Sequence, residues 1–275
     1  MIVDQHTQLY GVVGNPIGHS LSPAMHNAAF SYTGVNAVYL AFETRDIKAC
    51  LKGMKGLGIK GMSVTIPYKS DVIPLLDEID DLAGRIGAVN SIVNRDGRLV
   101  GYNTDAVGAL KALEEKTELP GKSCIMIGAG GAARAIGYIL REKGVELTVA
   151  NRSIERGESL CKALGCRLIN LEGLVGETAD ILINTTPIGM APGTELCPVP
   201  EQVLKGGMVV MDIVYNPLET RLLAMARSRG CLTVSGLVMF IYQGAEQFRI
   251  WTGLEPPIKA MTEAVEKVLV RRLEC

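Results

Sequence analysis

Short apolar runs alternate along this chain with longer stretches whose apolar residues recur at helical spacing. The pattern predicts strands at Leu9 to Val13, Ala37 to Phe42 and Gly61 to Ile66, with helices at Pro23 to Tyr32 and Arg45 to Leu57 between them. Ala88 to Asn94 and Arg98 to Tyr102 flank Arg95-Asp96-Gly97, and Asp-Gly between two such runs predicts a hairpin. Thr104 is placed to cap a helix reaching about Lys116. After Leu119-Pro120-Gly121 the alternation restarts, with a strand at Cys124 to Ile127, a Gly-rich turn, a helix to Lys143-Gly144 and a strand at Glu146 to Ala150. Arg156 to Leu164, Ile181 to Asn184 and Met208 to Val214 continue it. Pro256-Pro257 opens a last helix, with Ile258, Met261, Val265, Val268 and Leu269 on one face. This order predicts an α/β protein of parallel sheets covered by helices, with a boundary near residue 105 and a nucleotide domain reaching about residue 235.

A chain of 275 residues suits one large domain or two modest ones. With 48% hydrophobic and 21% charged residues it is not a disordered chain. Lys plus Arg number 28 and Asp plus Glu 29, so a net charge of −1 offers no bulk attraction to nucleic acid or anionic membrane. No apolar run approaches the ~18 residues of a membrane span. The start, Met1-Ile2-Val3-Asp4-Gln5-His6, lacks a basic segment followed by an apolar one. The expectation is a soluble cytoplasmic protein. The 7 cysteines, Cys50, Cys124, Cys161, Cys166, Cys197, Cys231 and Cys275, are odd in number and lack C-x-x-C spacing. They predict reduced thiols and no metal site.

The strand Cys124 to Ile127 runs into Gly128-Ala129-Gly130-Gly131-Ala132-Ala133, which fits G-x-G-x-x-G/A through Gly128, Gly130 and Ala133. Between a strand and a helix, this sequence predicts a dinucleotide turn that seats pyrophosphate on the helix N-terminus. A unit for NAD would end its next strand on Asp or Glu, which accepts from the ribose hydroxyl. This chain has Asn151-Arg152-Ser153-Ile154-Glu155-Arg156 there. Arg152 and Arg156 suit a 2′-phosphate and point to NADP, although two solvated arginines at a helix start fit the same residues.

A nicotinamide site implies hydride transfer, and the carbonyl then needs a proton donor. None of the 8 tyrosines has a lysine four residues later, and His6, His19 and His26 lack metal-ligand spacing and fit structural roles. Lys69, ending Ser63-Val64-Thr65-Ile66-Pro67-Tyr68-Lys69, and Asp105, in Asn103-Thr104-Asp105, are the candidate pair. Taken singly, they also fit a surface lysine and a capping residue. In Gly18-His19-Ser20-Leu21-Ser22-Pro23, Pro23 suits a first helical position and makes Ser22 the predicted cap. Ser20 and Ser22 then form a cradle for a carboxylate.

Several segments together resemble the shikimate dehydrogenase family: Gly14 to Pro23 with His26-Asn27, Val64 to Lys69, Gly87-Ala88-Val89-Asn90, Asn103-Thr104-Asp105, Gly128 to Ala132, Asn151-Arg152-Ser153, Asn184 to Met190 and Gln243-Gly244-Ala245. The resemblance spans the chain. It implies NADPH-dependent reduction of 3-dehydroshikimate to shikimate, on the route to chorismate and aromatic amino acids. It implies a substrate-binding and catalytic domain over 1–104 with C-terminal helices of 237–275 packing back on it, and a Rossmann NADP-binding domain over 105–236. Family members occur as monomers and homodimers. Carried over by motif, Ser20, Ser22, Thr65, Lys69, Asn90, Asp105 and Gln243 bind substrate, with Tyr215 at its carboxylate end, and Lys69 and Asp105 are catalytic. Gly128, Ala129, Gly130, Gly131, Ala132, Asn151, Arg152, Ser153 and Arg156 hold NADP, and Asp81, Ile213 and Gly236 line it. Ser63 departs from the family's usual Asn, which opens the alternative of a broader quinate/shikimate enzyme. A silent NADP-binding protein is the alternative from another class.

Overall fold

The computed structural model describes residues 3–273, so Met1, Ile2, Glu274 and Cys275 lie outside the described residues. The chain divides into two compact units. The first runs to Thr104 and resumes at Gln243, and the second runs from Asp105 to Tyr242. The division falls inside a long helix that opens at Gly236.

In the first unit come β1 (Gln8–Gly14), α1 (Ser22–Thr33), β2 (Ala37–Glu43), α2 (Ile47–Gly56), β3 (Gly61–Val64), β4 (Glu78–Ile79), α3 (Asp81–Ile86), β5 (Ser91–Arg95) and β6 (Arg98–Tyr102). The sheet order is β2-β1-β3-β5-β6-β4. It is mixed: β1 runs parallel to β2 and β3, while β5 runs antiparallel to β3 and β6. Asp96 (φ 51°) and Gly97 (φ 92°) make the β5–β6 turn, as the Asp-Gly signal predicts. Strand β3 stops at Val64 because the Tyr68 N–H closes a turn on the Thr65 carbonyl at 3.0 Å.

One expectation at α1 is corrected. Ser22 does not cap this helix but is its first residue, and Pro23 follows within the first turn. Leu21 stands at the cap position in right-handed helical conformation (φ −96°, ψ −2°), with no side-chain capping bond. The Ser20 hydroxyl takes the Ser22 N–H at 3.3 Å, so the role expected of Ser22 has moved upstream to Ser20.

The second unit holds α4 (Asp105–Glu114), β7 (Ser123–Ile127), α5 (Gly131–Glu142), β8 (Glu146–Ala150), α6 (Ile154–Leu164), β9 (Arg167–Ile169), β10 (Ile181–Asn184), β11 (Val209–Asp212), α7 (Arg221–Ser228) and β12 (Leu232–Val234). All its strand pairs are parallel, in the order β12-β11-β10-β7-β8-β9. That order turns back between β7 and β10, the topology of a dinucleotide-binding sheet. Helices cover both faces, so its central strands β7, β10 and β11 are mostly apolar. Cys124 and Met126 pack with Ile136, Leu140 and Leu160, while Ile125 and Ile127 pack with Leu182, Val210 and Leu222. Helices α8 (Gly236–Thr252) and α9 (Ile258–Leu273) complete the chain. In the first unit α9 packs on α1, and Trp251 of α8 donates to the Ile92 carbonyl at 3.1 Å. The 6 cysteines among the described residues are all free thiols.

Candidate active site

Ser20, Ser22, Thr65, Lys69, Asn90 and Gln243 all belong to the first unit: Ser20 and Ser22 at the start of α1, Thr65 and Lys69 in the loop after β3, Asn90 just before β5 and Gln243 in the middle of α8. Asn90 precedes β5 and is buried. Its carbonyl takes the Val64 N–H at 2.8 Å, which ties it to the tip of β3. Its side chain donates to Thr104 Oγ1 at 3.0 Å and to Gln243 Oε1 at 3.5 Å. Lys69, half-buried, sits one turn beyond Thr65, and its carbonyl accepts the Val89 N–H at 2.7 Å. The loop carrying lysine is thereby fastened to the residue before Asn90.

A second layer supports these groups, and sequence reasoning missed most of it. Tyr39 of β2 donates to Ser63 Oγ at 2.6 Å, and Ser63 donates to Gln247 Oε1 at 2.9 Å. Gln247 Nε2 donates to the Asn90 carbonyl at 3.2 Å. Ser63 is thus fully engaged within the protein. His26 lies stacked on Tyr39, ring centroids 4.5 Å apart, with Nε2 3.3 Å from Gln247 Oε1. Burial pushes its pKa down to about 3, against the opposing pull of the Gln247 bond, so His26 is a neutral structural residue. Asn27 braces β2 through both its amide ends, accepting the Tyr39 N–H at 2.8 Å and donating to the Tyr39 carbonyl at 2.9 Å.

In the second unit, Asp105 is buried at the first position of α4. The turn Gly128 to Ala132 links β7 to α5. Gly128 adopts φ 110°, and a Cβ there would lie 2.5 Å from Thr185 Oγ1, so only glycine fits. Gly130 stands at the cap of α5 without a side-chain capping bond, and a Cβ on it would meet nothing within 4 Å. Open space before the exposed N–H groups of a helix is what a dinucleotide's diphosphate requires, and the turn fits that group. At the tip of β8, Asn151 Nδ2 donates to the Ser153 carbonyl at 2.7 Å, and Ser153 caps α6 by accepting the Arg156 N–H at 3.5 Å. Arg152 and Arg156 are both exposed there. Among the described residues, no cluster of His, Cys, Asp or Glu could hold a metal ion. No helix among them is long and apolar enough to cross a membrane.

The tips of β10 and β11 are locked by Asp212, which is buried. It accepts from Asn184 Nδ2 at 2.9 Å, the Val214 N–H at 3.1 Å and Thr220 Oγ1 at 2.7 Å. Burial raises its pKa, and these donors oppose the rise. The lock positions the next residues, Ile213 and Tyr215, and Tyr215 stacks on Phe240 with centroids 4.7 Å apart. Gly236 opens α8 where a Cβ would meet the Ile213 carbonyl. Asp81 is exposed in the first unit at the start of α3, beside Asp80, which caps that helix through the Leu82 N–H at 3.0 Å.

Comparison with known proteins decides the family. A Shikimate dehydrogenase substrate binding domain model matches residues 12–92, a Shikimate / quinate 5-dehydrogenase model residues 110–189, and a Shikimate 5'-dehydrogenase C-terminal domain model residues 236–266. The NADP(+) shikimate dehydrogenase of Pyrococcus furiosus is 48% identical over 94% of this chain and 96% of its own. The chain belongs to the shikimate dehydrogenase family. Two crystal structures of shikimate dehydrogenases are similar throughout. One, in complex with NADP+, has 43% identity and a TM-score of 0.93, covering 98% of both chains. The other, from Thermus thermophilus with NADP(H) and shikimate, has 37% identity and a TM-score of 0.89, covering 96% of this chain and 100% of its own. The sequence motifs of the shikimate dehydrogenase family did not single out Tyr39, Gln247 or Asp212. Tyr39 and Gln247 act through partners distant in sequence, whereas Asp212, a carboxylate inside the apolar run Val209 to Val214, carried a local signal.

Proposed function

We propose that this protein catalyses the reversible NADPH-dependent reduction of 3-dehydroshikimate to shikimate, in the biosynthesis of chorismate and the aromatic amino acids. The observation that carries this reading is its near-full-length kinship with NADP(+) shikimate dehydrogenases in a chain that has both Lys69 and Asp105. Ser20 and Ser22 receive the substrate carboxylate, with Tyr215 at the same end. Thr65, Asn90 and Gln243 hold the rest of the ring. Gly128, Ala129, Gly130, Gly131 and Ala132 bind the NADP diphosphate, and Asn151, Arg152, Ser153 and Arg156 bind its 2′-phosphorylated ribose. Asp81, Ile213 and Gly236 line the remainder.

NADPH, when bound, supplies the hydride. Lys69 stabilises the negative charge that develops on the ketone oxygen and donates a proton to that oxygen. Asp105 accepts from a neighbouring substrate hydroxyl and keeps the ammonium oriented. Nothing in the sequence or fold calls for nucleic acid or a membrane as partner, and the protein works in the cytoplasm as a monomer or homodimer.

Ser63 favours a second reading, a quinate/shikimate enzyme, because a short side chain bonded inside the protein leaves more room and fewer constraints on the ring than an amide. An NADP-reduction assay with shikimate and quinate side by side tests both. Turnover of shikimate alone supports the first reading, and turnover of both supports the second. NADP binding without either turnover identifies a silent dinucleotide-binding protein.

A further inference from the structure

The chain that leaves β11 returns to α7 through the loop from Ile213 to Glu219, and one buried hydroxyl closes that loop at its base. Thr220 is fully buried at the cap of α7. Its Oγ1 accepts the Leu223 N–H at 3.3 Å and donates to Asp212 Oδ2 at 2.7 Å. The other carboxylate oxygen, Oδ1, accepts the Val214 N–H at 3.1 Å and Asn184 Nδ2 at 2.9 Å. The Leu223 N–H belongs to the first turn, where a helix offers its amides no partner of its own. Thr220 thus ties the two ends of the loop together and starts the helix with the same oxygen. Further contacts restrict Tyr215 within the loop. The Ile213 and Val214 carbonyls fill the space where a Cβ of Gly236 would stand, and the Asn216 carbonyl accepts the Ala191 N–H at 3.0 Å. The Tyr215 ring itself stacks on Phe240.

We propose that Thr220 and Asp212 are positioning residues for substrate binding, whose bond places the Tyr215 hydroxyl by closing the loop that carries it. The inference rests on the reading that Tyr215 meets the substrate carboxylate. Thr220 is shut away from any ligand, so its influence passes through the loop. Without its hydroxyl the return end of the loop comes loose, while the Val214 N–H still holds the outgoing end on Asp212. Tyr215 lies between those two ends. Coupling of this kind is reciprocal. A closed clasp favours the carboxylate, so a bound carboxylate favours the closed clasp, and with it an ordered start of α7.

Thr220→Val keeps the shape and removes the hydroxyl. Its KM for shikimate should rise about three- to tenfold, part of the weight of a hydrogen bond to a charged group. Its kcat should change less than about threefold, because the carboxylate contact is the same in the ground and transition states. Thr220→Ser restores the hydroxyl and should bring KM back to within about twofold of wild type. Tyr215→Phe should raise KM about tenfold or more, and adding Thr220→Val to it should raise KM less than about twofold further. A Thr220→Val protein that melts at a lower temperature with KM unmoved has a merely structural Thr220, and that result overturns the proposal. So does a rise in KM that persists in the Tyr215→Phe background. Hydrogen exchange on the wild-type protein is the second measurement and needs no variant. Saturating shikimate should slow exchange of the Leu223 amide about threefold or more. The Gly173 amide, which donates to Asn170 Oδ1 at 2.8 Å in another turn of the same unit, should keep its rate. Leu223 exchange that is unchanged, or that slows only as Gly173 does, overturns the proposal. An unmoved KM in Tyr215→Phe would instead overturn the place given to Tyr215, and wild-type protein that fails to turn over shikimate would overturn the functional reading itself, both distinct from the failures of the clasp.

Discussion

Asn90 grips Thr104 with both ends of its side-chain amide. Its Oδ1 accepts the Thr104 N–H at 2.7 Å and its Nδ2 donates to Thr104 Oγ1 at 3.0 Å. Both residues are buried, and Thr104 immediately precedes Asp105. Asn90 therefore fixes the backbone that leads into the proposed proton path. Thr104→Val keeps the shape and the Thr104 N–H bond but removes the hydroxyl's two contacts with the Asn90 amide, and should cost about 0.5–1.5 kcal/mol in urea unfolding with little change in kcat. Asn90→Ala strands the buried Thr104 N–H, and should cost about 1–3 kcal/mol and lower kcat as well. Equal losses in the two variants would show that the amide does not organise this segment.

The two glycines that frame the nucleotide turn separate folding from binding. Gly128→Ala forces a side chain into φ 110° and against Thr185, whose hydroxyl is already committed to the Ile127 carbonyl at 2.6 Å. It should cost about 1–3 kcal/mol of stability and lose NADPH binding with it. Gly130 has ordinary extended backbone and open space around it. Gly130→Ala should fold like wild type while NADPH affinity falls about tenfold or more, because its methyl occupies the space that the diphosphate needs. Thermal melts and fluorescence titration read the two effects separately. Normal NADPH binding by Gly130→Ala would place the diphosphate elsewhere.

Arg152 and Arg156 should set the cofactor preference. Two charge-assisted contacts of ~1.5–3 kcal/mol each, weakened by the exposure of both side chains, predict at least about a tenfold preference for NADP over NAD. The Arg152→Ala, Arg156→Ala double variant should raise KM for NADP and leave KM for NAD unmoved. Equal efficiency of wild-type protein with both cofactors would remove these arginines from the site.

The layout of the second unit was legible because each signal was local. A parallel strand buried on both faces is an unbroken apolar run, as at Ile181 to Ile183, and Gly128 to Ala133 marks its own turn. The hairpin at Asp96-Gly97 was equally local. The strands β4, β9 and β12 have two or three residues each and carry too little pattern to read. The Ser22 cap failed because the helix starts one residue earlier than its Pro23 signal, with the Leu21 carbonyl taking the Met25 N–H and the Ser20 hydroxyl taking the Ser22 N–H. Tyr39, Ser63 and Gln247 meet across separations of 24 and 184 residues, and no spacing rule reaches that far.

His26 should make the protein acid-sensitive. Its folded pKa, about 3, lies below the ordinary 6.5 because burial disfavours the charged ring. Between those values the unfolded chain binds a proton that the folded chain does not. The contribution is fully present above pH 6.5 and is lost as pH falls toward about 3, at up to about 1.4 kcal/mol per pH unit. His26→Phe keeps a ring against Tyr39 and removes the titration. Its urea-unfolding free energy should be flatter than that of wild type between pH 6.5 and about 4.5. Parallel pH profiles for the two proteins would mean that another group carries the acid response.

Lys69 and Asp105 should behave as one catalytic unit although they belong to different units of the fold. The ketone oxygen becomes negative as hydride arrives, so the ammonium of Lys69 matters chiefly in the transition state. Lys69→Ala should therefore lower kcat about 10²–10⁴-fold while KM for shikimate moves little. Asp105→Asn removes the carboxylate proposed to accept from the substrate hydroxyl, and kcat should fall with a larger change in KM. Because both serve one proton path, the double variant should be little worse than the poorer single variant. Neither residue lies in the turn from Gly128 to Ala132, so NADPH binding measured by fluorescence should be unchanged in all three proteins. Asn90 and the Val89 bond to the Lys69 carbonyl stay intact in each, which keeps the loops in place while the chemistry is removed. Steady-state kinetics on the three variants decides the matter. A near-wild-type kcat in Lys69→Ala would move the proton donor to another residue, and strictly additive losses would mean that the two side chains act on separate steps.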